Sequence, residues 1–186
     1  MSKAVLISIR PEWCRLIASG KKTIEVRKTK PNAILPLKCY IYQTLPKHGD
    51  WNESDGHVIG EFICHNIYRL DIPFPAYWDQ VDKKTLDAAC LTYAEAHNYL
   101  GHRSGYAWRI SDLVIYGKPK QLREFYKWFD GANDIRPCQN GNDCKHLYYD
   151  YSENCQACGI DFDGTDCPYY KVQKAPQSWM YVEELA

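Results

Sequence analysis

The sequence predicts an α+β fold, a small β-barrel with helices packed on its outside. Several segments alternate apolar and polar residues with a period of two, the pattern of half-buried strands. Helical signals are few, in the stretch after Pro11, in residues 83–100 and at the end of Lys118–Phe129, and no internal repeat or low-complexity run breaks the pattern. Many strands with few helices favour a barrel flanked by helices. The 186 residues suffice for one domain with its own core and a small appendage.

Taken in order, Ala4–Ile9 reads as a short apolar strand. A helix follows: Trp13, Leu16 and Ile17 fall at i, i+3 and i+4. Pro11 suits the first turn, where its missing N–H costs nothing, and Gly20 suits the left-handed position after the last turn. The period then changes to two. Ile24 and Val26 point one way; Thr23, Glu25 and Arg27 point the other, with Lys21 and Lys22 at the turn leading in. Pro31 and Pro36 bracket a loop. Leu37–Gln43 is a strand with Cys39, Ile41 and Gln43 on one face and Lys38, Tyr40 and Tyr42 on the other. Residues 44–56 are rich in turn formers. His57–Arg69 alternates long enough for a bent barrel strand that Pro73 and Pro75 end. Residues 83–100 form one or two helices stopping at Gly101. Gly105–Tyr116 is a second long strand, Lys118–Phe129 begins with a turn and ends helical, and Trp179–Val182 closes the barrel.

Charge narrows the partners. Lys+Arg and Asp+Glu both number 23, a zero net charge that argues against a protein coating nucleic acid non-specifically. The balance is local, however. Residues 10–30 carry seven bases against two acids (net +5), whereas residues 130–167 carry eight acids against two bases (net −6). An anionic ligand is drawn to the first region and repelled by the second. No apolar run approaches the ~20 residues needed to span a bilayer, and the N-terminus reads directly into a strand. The expectation is a cytoplasmic protein without a membrane partner, whose nine cysteines serve as thiols and metal ligands rather than disulfides.

Ile9-Arg10-Pro11-Glu12-Trp13, followed by Gly20, Lys22, Glu25 and Arg27 at the spacing Gly-x-Lys-x-x-Glu-x-Arg, resembles the signature of the ASCH domain, a PUA-like family. Gly105-Tyr106-Ala107-Trp108-Arg109-Ile110 and Pro176-Gln177-Ser178-Trp179-Met180-Tyr181-Val182 are similar to strands of that family, so the likeness covers residues 1–128 and 174–186. It implies a PUA-like/ASCH β-barrel that holds RNA, a nucleotide or a modified nucleoside in a cleft by the Lys22–Arg27 hook. The implied ligand residues are Trp13, Lys22, Thr23, Glu25 and Arg27, with Tyr106, Trp108 and Trp179 as stacking rings. A second implication is hydrolysis. Some small ASCH proteins are N4-acylcytidine amidohydrolases using a Lys, a Thr and a Glu, and others are ribonucleases. Lys22 matches that Lys, Glu25 stands where the Thr would be, and that Glu has no counterpart placed here; Lys22 and Glu25 would be the catalytic pair. A third possibility is a protein-partner module whose hook only folds the barrel.

Residues 1–129 thus read as the barrel, 130–173 as a Cys-rich insert and 174–186 as the closing strand. Five of the nine cysteines, Cys138, Cys144, Cys155, Cys158 and Cys167, lie within 30 residues. Cys155-Gln-Ala-Cys158-Gly159 has the shape of a zinc knuckle, and four thiolates suit a structural Zn²⁺; an iron–sulfur cluster is the rival. Two ligands would come from Cys138, Cys144 and Cys167, with His146 a weaker candidate. The insert is acidic, so its expected role is a metal staple rather than a nucleic-acid finger. Cys14, Cys39, Cys64 and Cys90 read as core. No phosphate-binding glycine loop or dinucleotide fingerprint is present.

Overall fold

The computed structural model describes residues 2–46, 52, 54–101, 103–128 and 171–185. Among these residues eight strands and three α-helices run in the order β1 (Lys3–Ile9), α1 (Pro11–Ala18), β2 (Ile24–Arg27), β3 (Leu37–Gln43), β4 (His57–Cys64), β5 (Ile67–Leu70), α2 (Lys83–Ala88), α3 (Tyr93–Leu100), β6 (Gly105–Arg109), β7 (Ser111–Lys120) and β8 (Trp179–Glu183). Short 3₁₀ turns occupy Pro75–Gln80 and Leu122–Glu124. The fold is α+β. A five-stranded mixed sheet in the order β7-β4-β3-β1-β8 faces a three-stranded antiparallel sheet in the order β2-β6-β5. Among the described residues no strand ladder joins the two sheets into a closed barrel. No described helix is long and apolar enough to cross a membrane.

Strand β1 runs parallel to β3 and antiparallel to β8. Every residue from Ala4 to Ile9 is buried, which is why the segment reads as a continuous apolar run rather than an alternation. Between the sheets lie Val5, Ile7 and Ile9 of β1, Cys39 and Ile41 of β3, Phe62 and Cys64 of β4, Cys14 and Ile17 of α1, and Trp108 of β6. The helix therefore buries Cys14 and Ile17 most deeply, while the predicted Trp13 and Leu16 flank them half-buried. On the far side of the small sheet, Ile24, Val26, Leu70 and Ala107 pack on Leu86, Ala89, Ala96 and Leu100 of the α2–α3 layer. On the far side of the large sheet, Ala4, Leu6, Tyr40, Tyr42 and Val58 pack on Phe125, Val172 and Val182.

Each of the two long strands expected from the sequence is two strands in different sheets. His57–Arg69 breaks at His65-Asn66 and Gly105–Tyr116 breaks at Ile110, where Arg109 N–H donates to Asn66 O at 3.0 Å. The pair β4–β7 belongs to the large sheet and β5–β6 to the small one. One bent ribbon thus turns the corner between them, the device by which sheets pack at a large angle. Gly60 sits where this ribbon is irregular: a Cβ there would lie 2.3 Å from Val114 O, so only glycine lets β7 approach. Among the described residues the helical end expected for Lys118–Phe129 is reduced to the 3₁₀ turn at Leu122–Glu124. Strand β7 continues to Lys120, and Tyr126 and Lys127 pair with Lys171 and Val182, long-range partners that outweigh local helix propensity.

Candidate functional site

The stretch after α1 turns at Gly20, whose φ of +72° is the left-handed region that a Cβ disfavours. Lys21 and Lys22 N–H both donate to Leu16 O at 3.0 Å, which closes the helix and starts β2 at Ile24. Strand β2 pairs with β6 so that Glu25 stands opposite Trp108 and Arg27 opposite Tyr106. Opposite residues of an antiparallel pair share a face, and Trp108 belongs to the inter-sheet core. Glu25 and Arg27 therefore point inward, toward β1, while Ile24 and Val26 point out under α2 and α3. The charged row is no wet strand face: Lys22 is 3% exposed, Glu25 6% and Arg27 8%.

Burial at this depth requires partners. Lys22 Nζ donates to Ala89 O at 2.6 Å, an orphan carbonyl at the end of α2. It lies 3.4 Å from Glu25 Oε2 and 5.1 Å from the centre of the Trp13 ring. Arg27 Nη2 lies 3.1 Å from Glu25 Oε1 and donates to Ser8 O. Ser8, a polar residue inside the apolar run of β1, is a hub: its N–H donates to Ser178 O at 2.9 Å and its hydroxyl to Pro176 O at 2.7 Å. Two cations surround one carboxylate, so the buried row carries one positive charge in excess. Glu25 Oε2 and Arg27 Nε have no hydrogen-bond partner. Burial, with Glu25 and Glu12 adding to it, pushes the nearby Cys14 thiol well above its ordinary range. That thiol is a core group, donating to Ile9 O at 3.6 Å, and not a nucleophile.

The row opens on a cleft of about 1160 Å³. Its lining includes Arg10, Glu12 and Trp13, Tyr42, Thr44 and Leu45, Leu91, Glu95, Asn98 and Tyr99, and residues 175–178. Of the residues singled out from the sequence, the fold brings Trp13, Lys22, Glu25 and Arg27 together there. Thr23 is exposed and contributes backbone only, its N–H to Ala88 O and its carbonyl to Ile110 N–H, both at 2.9 Å. Trp108 is wholly buried. Tyr106 packs half-buried against the same core. Trp179 stacks edge-on with Tyr181 and donates its indole N–H to Thr29 Oγ1 at 3.0 Å. None of these three rings lines the cleft. Ser8, Tyr42, Tyr99 and the 175–178 segment were not foreseen. Only Ser8 left a trace in the sequence, as a hydroxyl amid Val, Leu and Ile.

Cys14, Cys39 and Cys64 are buried and Cys90 is half-buried, in keeping with core use. Cys138, Cys144, Cys155, Cys158, Cys167 and His146 lie outside the described residues. Among the described residues no group of three or more His, Cys, Asp or Glu is placed to hold a metal.

No family model matches the chain. Over 44 residues it is 43% identical to a curated protein of Zymomonas mobilis named an ASCH domain-containing ribonuclease; the match covers 24% of this chain and 30% of that protein. The chain thus spans under a third of the length of the curated relative it matches. A crystal structure of ASCH from Zymomonas mobilis aligns with a TM-score of 0.49 at 27% identity, over 64% of this chain and 73% of the other. A mutant of that protein aligns with a TM-score of 0.49 at 26% identity, over 65% and 77%.

Proposed function

We propose that this chain is an ASCH-type domain that binds single-stranded RNA or a nucleotide in the cleft beside Lys22, Glu25 and Arg27. The observation that carries the reading is the buried row itself. Two cations against one carboxylate, nine-tenths or more buried, line a cleft large enough for a nucleotide. A buried charge without a hydrogen-bonding or ionic purpose is costly, and an excess positive charge suits a site for an anionic polymer. Arg10 and Lys28, exposed at the rim, supply phosphate contacts, which position a nucleic acid without reading its sequence. The test is anisotropy of a fluorescein-labelled single-stranded RNA titrated with the full chain at several salt concentrations. The expected result is binding with a shallow salt slope, since few phosphates are engaged, weakened by Lys28→Ala. No binding at low salt would overturn the reading.

A second reading, RNA cleavage, is favoured by the name of the Zymomonas relative. In it Glu25 removes a proton and Lys22 stabilises developing charge. Glu25→Gln then lowers turnover by a factor on the order of 10²–10⁴. The insert carries a separate proposal that rests on sequence spacing: four of Cys138, Cys144, Cys155, Cys158 and Cys167 hold one structural zinc ion. Elemental analysis of protein purified without chelator should find about one metal ion per chain.

A further inference from the structure

Among its buried atoms the charged row leaves an acceptor unused as well as a donor, a pair that a phosphate cannot complement. Lys22 Nζ is committed to Ala89 O and to the face of Trp13, and it lies near Glu25 without donating to it. Arg27 Nη2 is committed to Ser8 O and Glu25 Oε1. Two buried atoms are left: Arg27 Nε, a donor, and Glu25 Oε2, an acceptor. Both belong to one ion pair and both residues line the cleft. We infer that the deep end of the cleft reads the edge of an unstacked nucleobase, a neutral planar group that presents a donor beside an acceptor. The inference rests on the RNA or nucleotide reading of the same site and specifies which part of the ligand goes in.

A phosphate offers acceptors only. It would satisfy Arg27 Nε but set a second anion against Glu25, whose carboxylate stands between the two cations. A base edge supplies both complements, an N–H to the carboxylate and a ring nitrogen or carbonyl to the guanidinium; carboxylate-to-amino and guanidinium-to-acceptor pairings are ordinary base readout. Trp13, in the same cleft and held by Lys22 over its ring, offers an aromatic face beside the row. Arg10 and Lys28 are left for the sugar–phosphate backbone. Depth adds a constraint. A base paired inside a duplex cannot reach a row so deeply buried, whereas a base swung out of a single strand can.

The test uses the full chain, a fluorescein-labelled single-stranded RNA and three unlabelled competitors: cytidine, guanosine and ribose 5-phosphate. Saturation-transfer NMR on the competitors alone reads direct contact. At least one nucleoside should displace the RNA and show transfer from its base protons, while ribose 5-phosphate at the same concentration should do neither. Displacement by ribose 5-phosphate with both nucleosides inert would overturn the inference and leave RNA binding standing. Nucleoside transfer without RNA binding would sustain the inference and remove the RNA reading; absence of both would remove both. Arg27→Lys keeps the charge and deletes Nε. Its nucleoside affinity should fall on the order of 10-fold with the salt slope of RNA binding unchanged, and a flattened slope at unchanged nucleoside affinity would overturn the assignment.

Discussion

Lys22, Glu25 and Arg27 at the inter-sheet mouth, and Lys38, Glu61 and Glu184 on the other face of the large sheet, are two networks of three charges. In the first, two cations share one carboxylate and every member is nine-tenths buried. In the second, one cation serves two carboxylates: Lys38 Nζ lies 2.9 Å from Glu184 and 3.4 Å from Glu61, with side chains 22–33% exposed. In the second network Tyr116 also donates its hydroxyl to Glu61, and burial beside that carboxylate pushes the phenol well above its ordinary range. It ties the residues after β8 to β3 and β4 and faces water. The first has an unused donor and an unused acceptor and faces a cleft. Similar charges thus serve as a clip where solvent shares the load and as a candidate site where it does not.

The largest expected difference comes from removing the central carboxylates. Glu25→Ala leaves Lys22 and Arg27 buried without a counter-charge and should cost about 3–5 kcal/mol of unfolding free energy in urea melts. Glu61→Ala, in the half-exposed network, should cost about 1 kcal/mol. Equal losses would erase the distinction between the two networks. Next is Lys22→Met, which keeps the stem and deletes the charge. With Ala89 O deprived of its donor and Glu25 of one of its two counter-charges, it should cost about 1–3 kcal/mol. Loss of ligand binding with full stability would instead make Lys22 a ligand group rather than a tie to α2.

The smallest effect belongs to Lys38→Met, under about 1 kcal/mol at neutral pH, and it carries a pH signature. The hydrogen bond to Glu184 raises the Lys38 pKa above its ordinary 10.5, so the folded state holds this proton more tightly than the unfolded one. The contribution is therefore complete below pH 10.5 and is lost as pH rises through the higher folded value. Urea melts of the two proteins should differ by a constant amount from pH 7 to about 10 and converge above it. A difference that persisted undiminished above the folded value would assign the effect to packing of the lysine stem.

Local rules were enough to read much of this chain. Ala4–Ile9 is apolar at nearly every position and is an interior strand of the large sheet; Pro11 and Gly20 bound the helix that the sequence predicts; the alternation over 24–27 is a strand with two chemically distinct faces. Those features depend on neighbours a few residues away. Which face of β2 is interior was not local. A strand carrying Glu and Arg reads by default as polar side out, and it turns inward here because α2 and α3, some 60 residues later, cover Ile24 and Val26. The breaks at His65-Asn66 and Ile110 are likewise set by the corner between two sheets, and Phe125 leaves its predicted helix to fill the core beneath Tyr40. The sequence by itself determined the α+β class, the hook and the charges on it. Only the tertiary structure decided that those charges are buried, that Ser8 and residues 175–178 join them, and that Trp108 and Trp179 do not, because burial is a property of what a second layer covers.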